Sequence, residues 1–386
     1  MSDRTIRGLA AAAAALLALS ACATEKDEPA AAAKSATEPV AVTYEGGIYV
    51  LDGESMKVVH NVELDGFNRV NPAGNKTNVV VSTERGFEVL DAVTGTMTDV
   101  TYPGSEPGHV VLHGDRTILF TDGTGEVNSF DPAELTDGKP EGRQYKVAQP
   151  HHGVAVELSD GTLLVTLGTE ESRSGAIAVD AQGKEIARSE ECNGIHGEAV
   201  AQGEVVAFGC KDGVLLFKDG AFVKVKGGKA YSAVGTQVGS DASPIVLGDY
   251  KIDPNAEREF PGQFALTDTV TNTLRVVPMP KGVSYSFRSL ARGPKGEGLI
   301  LGTDGALHVV DPVSAKLVDA WPVVAPWTEP MDWQQPRPAV FVRGNDAYIS
   351  EPATKKIHRL DLTTGAVVGS VSIDGVPNEI SGTLTH

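Results

Sequence analysis

Five of the nine histidines in this 386-residue chain fall between positions 109 and 196: His109, His113, His151, His152 and His196. Neutral imidazole is the commonest protein ligand for a transition metal, and three imidazoles suit zinc with a fourth position left open. His109, His151 and His196 stand 42 and 45 positions apart, so only a fold that repeats at that interval can bring them to one place. Glu198 follows His196 by two positions and is the carboxylate best placed to complete such a site. Asp332 and Glu379 are weaker carboxylate candidates. The alternative is a set of channel-lining polar side chains bound to water. Imidazole sites also take copper and nickel, so residue type alone does not choose zinc.

The elements that would position these groups repeat. From Val40 onward a Gly or Lys, an alternating apolar run and an Asp or turn residue recur. Examples are Gly86-Phe-Glu-Val-Leu-Asp91, Gly175-Ala-Ile-Ala-Val-Asp180 and Gly305-Ala-Leu-His-Val-Val-Asp311. Eight such markers are spaced by roughly 40 to 50 residues, with no sustained 3.6-residue apolar pattern between them. Hairpin chemistry such as Thr94-Gly95 and Thr364-Gly365 follows the markers, and 43 glycines supply the turns that many short strands need. This pattern predicts an all-β chain folded as a β-propeller of four-stranded blades. The blades fall at 67–102, 109–147, 151–189, 196–225, 231–278, 287–323 and 331–373. An eighth, 40–64, is closed by an inner strand from 379–385, so that the two ends of the chain share one blade. Seven blades remain the alternative if the first marker is an extra strand.

In this reading His109, His151/His152 and His196 begin the inner strands of blades two, three and four, and converge at one rim of the central channel. Strand alternation sends one of His151 and His152 inward and the other against a loop. His113 shares the parity of His109 and lies deeper in the channel. His60, His308 and His358 fall on outer strands, as surface or packing residues. Cys192 and Cys210 bracket His196. In an exported protein they form a disulfide that fixes the loop carrying His196, the alternative being thiolate ligation of metal.

Export is what the first residues predict. Arg4 and Arg7 precede an apolar run from Leu9 to Leu19, too short to span a bilayer, which ends in Leu19-Ser20-Ala21-Cys22. This matches the box cut by lipoprotein signal peptidase. Residues 1–21 are then a signal peptide, Cys22 the lipidated N-terminus, and 22–39 a flexible tether without bulky apolar residues. The mature protein is expected at the outer face of a membrane or in the periplasm, held through its lipid alone. A formal charge of −18 opposes binding to nucleic acid and to anionic lipid, and raises the local cation concentration.

The segments Pro150-His-His-Gly-Val-Ala-Val156, Cys192-Asn-Gly-Ile-His-Gly-Glu-Ala199, Val206-Ala-Phe-Gly-Cys-Lys-Asp-Gly-Val214 and Trp333-Gln-Gln-Pro-Arg-Pro338 resemble the AztD family of exported zinc metallochaperones. The resemblance implies a propeller, zinc binding, and direct transfer of zinc to the solute-binding protein of a zinc ABC transporter. It places His151, His152 and His196 on the family's histidine segments and Cys192 and Cys210 on its cysteine pair. His109 rests on blade geometry instead. The chain departs from members with a His-rich N-terminal stretch, since no histidine precedes His60. A monomeric carrier that is not an enzyme is the expectation. No His-Glu-x-x-His, Gly-x-Ser-x-Gly or phosphate-binding Gly-Lys-Ser/Thr loop is present. The rivals are a zinc hydrolase with Glu198 as general base and a metal-free interaction scaffold.

Overall fold

The structure is a computed structural model that describes residues 35–384. The predicted signal peptide, Cys22, most of the tether and His386 lie outside the described residues. Among the described residues, no helix is long and apolar enough to cross a membrane.

Among the described residues, eight sheets follow one another along the chain, each a blade of four antiparallel strands, with the two-residue strand Ser232–Ala233 added in parallel to the fourth. Seven are consecutive in sequence, from Arg69–Pro72 in blade one to Ala366–Ser372 in blade seven. The eighth joins the two ends of the chain. Its order is Val58–Glu63, Gly47–Leu51, Val40–Tyr44 and then Ile380–Gly382, with Ala41 opposite Ser381. The expected eight-bladed ring is therefore present, with the expected closure.

The burial pattern explains why the repeat was visible. The second and third strands of a blade are sandwiched between neighbouring blades, so both faces are covered: Asn78–Thr83 and Gly47–Leu51 are buried throughout. Outer strands such as Ala366–Ser372 are mostly exposed to solvent. The marker Asp also has a defined task at the turn that follows. Asp91 Oδ1 accepts from the amides of Val93 and Thr94, Asp268 from Val270 and Thr271, and Asp311 from Val313 and Ser314. These are Asx turns, which set the tight reversal into the outer strand. At Gly95 and Gly365 the chain takes φ +68° and +72°, which other residues rarely adopt.

Four inner strands start three or more residues later than the sequence suggests. They begin at Ala155, Gln237, Leu290 and Val340 rather than at 151, 231, 287 and 331. In blade seven, Pro336 and Pro338 lack the N–H that a ladder requires. In blade five, Ser232–Ala233 pairs back onto Asp212–Lys218 of blade four instead. The intervening residues form the loops that line the channel mouth.

Candidate metal centre

His109, His152 and His196 meet at that mouth. His109 lies in the inner strand Pro107–His113, His152 in the loop entering blade three, and His196 opens the inner strand His196–Ala201. One ring nitrogen from each lies within 4.8 Å of the others. His152 Nε2 and His196 Nε2 are 2.9 Å apart.

Local backbone irregularity aims these rings. The ladder shifts register between Pro107 and His109, and again between His196 and Glu198. Such bulges bend a strand and re-aim the side chains beside them. Gly197, at φ +69°, forms the second bulge, and a Cβ there would collide with the Gly235 carbonyl. A Cβ at Gly108 would run into the Asp122 carboxylate. Both glycines therefore make room for a group that orients a histidine.

Two of the rings are held by hydrogen bonds at Nδ1, and the third lies beside a carboxylate. The Gly235 carbonyl lies 2.7 Å from His196 Nδ1. A carbonyl can only accept, so Nδ1 carries the hydrogen and Nε2 presents a lone pair. The Asp122 carboxylate accepts from His152 Nδ1 in the same way, and its other oxygen accepts from the Gly153 amide. Glu198 Oε2 stands 3.3 Å from His109 Nδ1. Partners of this kind fix tautomer and orientation in metal-binding histidines.

The consequence is electrostatic. The lone pairs of His152 and His196 face each other at 2.9 Å, an arrangement that repels unless a proton or a cation lies between them. Burial first, then the neighbouring His109 and His152, push the His196 pKa down to about 3. At neutral pH that ring therefore offers a lone pair, which can accept a hydrogen bond from His152 or bind a metal cation.

The disulfide is present. Cys192 and Cys210, with Cα atoms 5.0 Å apart, are both buried. Cys192 N donates to Ser174 O, and Val234 N donates to Cys210 O. The bridge therefore pins the loop before His196 to the second strand of its blade, and the thiolates are not available as ligands. Closing an 18-residue span contributes about 3 kcal/mol in the chain-entropy description.

The other expected site residues are not brought into the cluster. His151 is buried 3% exposed, donates from Nδ1 to Gln149 O and accepts at Nε2 from the Thr166 hydroxyl, against the edge of Phe120. Both of its nitrogens are used, and burial lowers its pKa, so of the doublet only His152 faces the channel. His113 ends its strand away from the mouth, where it meets Glu204 at 2.7 Å. The ladder is regular from His109 to His113, so the two share a parity, but four residues of strand separate His113 from the cluster. Glu379 is tied to Arg69 and Arg288, and Asp332 is exposed in a loop, accepting from Gln334 N. Glu198 is adjacent as expected, but it faces His109 Nδ1. His308 and His358 lie in third strands and are buried, as expected of packing residues.

Two participants escaped sequence reasoning. Asp122 sits in an ordinary-looking Asp-Gly turn, and Gly235 acts through its backbone, which leaves no side-chain signal. The centre opens into a cavity of about 660 Å³ whose lining also includes Asp249, Lys251, Arg258 and Trp333.

No family model matches the chain. The zinc chaperone AztD of Citrobacter koseri is 25% identical over 288 residues, 72% of this chain. The matched stretch spans 65% of that relative's own length. The crystal structure of Citrobacter koseri AztD superposes with a TM-score of 0.75 at 20% identity, covering 89% of this chain and 96% of that one. The chain resembles AztD in both sequence and fold. Apo AztD from the same organism gives a TM-score of 0.74 with the same coverage. The dihydro-heme d1 dehydrogenase NirN also shares the ring, at a TM-score of 0.59 and 10% identity over 89% of this chain and 75% of that one. Its different activity shows that the ring alone does not set function, so the AztD likeness bears on function only together with the residues at the mouth.

Proposed function

We propose that this protein is a zinc carrier that binds the ion at His109, His152 and His196 and hands it directly to the solute-binding protein of a zinc ABC transporter. The observation that carries this reading is the convergence of three imidazoles, with two Nε2 atoms 2.9 Å apart and one ring nitrogen of each within 4.8 Å of the others. The likeness to a protein named a zinc chaperone supports it and favours zinc over other imidazole-binding metals. Three neutral nitrogen ligands leave a coordination position toward the cavity. A partner's ligands can enter there and displace the donor's rings one at a time, with no covalent chemistry. Glu198, the candidate base of a hydrolase, is engaged with His109, which favours carriage over hydrolysis. Cleavage at Cys22 and lipidation would hold the carrier outside the cytoplasmic membrane, where an acceptor of this kind works.

The test is to purify the protein without added metal, measure its zinc content, and follow zinc passing to a purified solute-binding protein. His196→Ala should reduce zinc affinity a hundredfold or more, since loss of even an outer-sphere partner typically costs about 10–100-fold. Unchanged affinity in that variant would remove the proposed site.

A further inference from the structure

His152 and His109 each rest directly on a carboxylate, whereas His196 rests on a backbone carbonyl. That carbonyl belongs to the peptide group joining Gly235 and Thr236. The N–H of the same peptide group donates to Asp249 Oδ1 at 3.1 Å, and Gly235 N donates to the same oxygen at 2.6 Å. Asp249 ends the second strand of blade five, Ile245–Asp249, and is 2% exposed. Its other oxygen meets Lys251 Nζ at 2.9 Å. The Asp249 amide in turn donates to Thr236 O, and Ala233 and Lys251 exchange both backbone hydrogen bonds. The 233–236 loop is therefore fastened to the strand end that carries the carboxylate.

We propose that Asp249 is a positioning residue for the metal centre, acting on His196 through the 235–236 peptide group. A peptide whose N–H donates to a carboxylate has a more electron-rich carbonyl, because successive hydrogen bonds polarise one another. That carbonyl accepts more strongly from His196 Nδ1–H, and His196 Nε2 becomes a stronger donor to a cation. All three rings are then backed by a carboxylate: Asp122 and Glu198 directly, Asp249 through one peptide. Blade five supplies no ligand but fixes the ligand of blade four. Lys251 draws part of the Asp249 charge away from the relay.

The inference rests on the zinc-carrier reading for its effect on affinity, but not for its geometry, so two measurements separate them. In the metal-free full-length protein, the His196 Nδ1–H proton resonance is compared between wild type and Asp249→Asn, with the His151 Nδ1–H as internal reference. The relay predicts an upfield shift at His196 alone. Equal shifts at both, or none, overturn it whether or not zinc binds. In the second measurement, zinc affinity by chelator competition is read for Asp249→Asn in wild-type and His196→Ala backgrounds. The expected result is a loss on the order of tenfold with His196 present that shrinks severalfold without it. Equal losses in both backgrounds would mean plain loss of charge and would overturn the relay. Should Asp249→Asn not fold, Lys251→Met replaces it with the sign reversed: a gain in affinity that requires His196, against an equal gain in both backgrounds.

Discussion

Histidines paired with acids occur in two parts of the ring, and only one part makes a centre. In blades six and seven, His308 Nε2 meets Asp304 at 3.1 Å and His358 Nε2 meets Glu351 at 3.2 Å. In blades two to four, His152 meets Asp122 and His109 meets Glu198. The residue types are the same. The former histidines sit in third strands, buried between adjacent blades, and His358 spends its second nitrogen on Ser370. The latter sit where inner strands start, nearest the axis, and their free nitrogens point at one another. Convergence, rather than composition, distinguishes a ligand from a packing residue here.

The contrast is sharpest when ligands are removed. His152→Ala should lower zinc affinity by a hundredfold or more, while His308→Ala should leave it unchanged and cost about 1–3 kcal/mol of folding stability through the unpaired acid and lost packing. Chelator competition and urea denaturation read the two effects, and a zinc defect in His308→Ala would erase the distinction. A smaller effect is expected of the orienting groups. Asp122→Asn keeps the shape of the side chain but weakens its hold on His152, and zinc affinity should fall about 10–100-fold. A loss no greater than that of Glu351→Gln in blade seven would show that Asp122 does not orient a ligand.

The smallest effect concerns pH. The folded-state pKa of His196, at about 3, lies below its unfolded value of about 6.5. The native state thus binds fewer protons than the unfolded chain between these limits. Stability from keeping this ring neutral is complete above pH 6.5 and is lost as pH falls toward 3. The metal-free protein should unfold at lower urea between pH 6.5 and 4.5, with a weaker pH dependence in His196→Ala. Identical dependences would show that the ring is not held neutral.

Much of the ring was legible in the sequence because its repeat is a burial pattern. Apolar runs in the second and third strands, the Asp that caps the following turn and the closing strand at the C-terminus each leave a local mark. The interval between histidines followed from that repeat, and so did the place where they gather. Reading further failed at identifiable residues. His151 and His152 are neighbours of one type, and only the loop geometry decides that one packs on Phe120 while the other faces the channel. His113 does share the strand parity of His109, but parity does not say how far along the channel a side chain lies, and His113 meets Glu204 instead of the cluster.

What the chain alone determined was periodic: a ring of seven or eight blades, their order, and which inner strands carry imidazole, since these follow from local turn chemistry and from which faces must be covered. The tertiary structure decided which nitrogens meet and what holds them. Asp122, the Gly235 carbonyl and Asp249 act on rings 30, 39 and 53 positions away, or through backbone that every residue shares. Contacts of that kind arise only when the ring closes and neighbouring blades press their loops together.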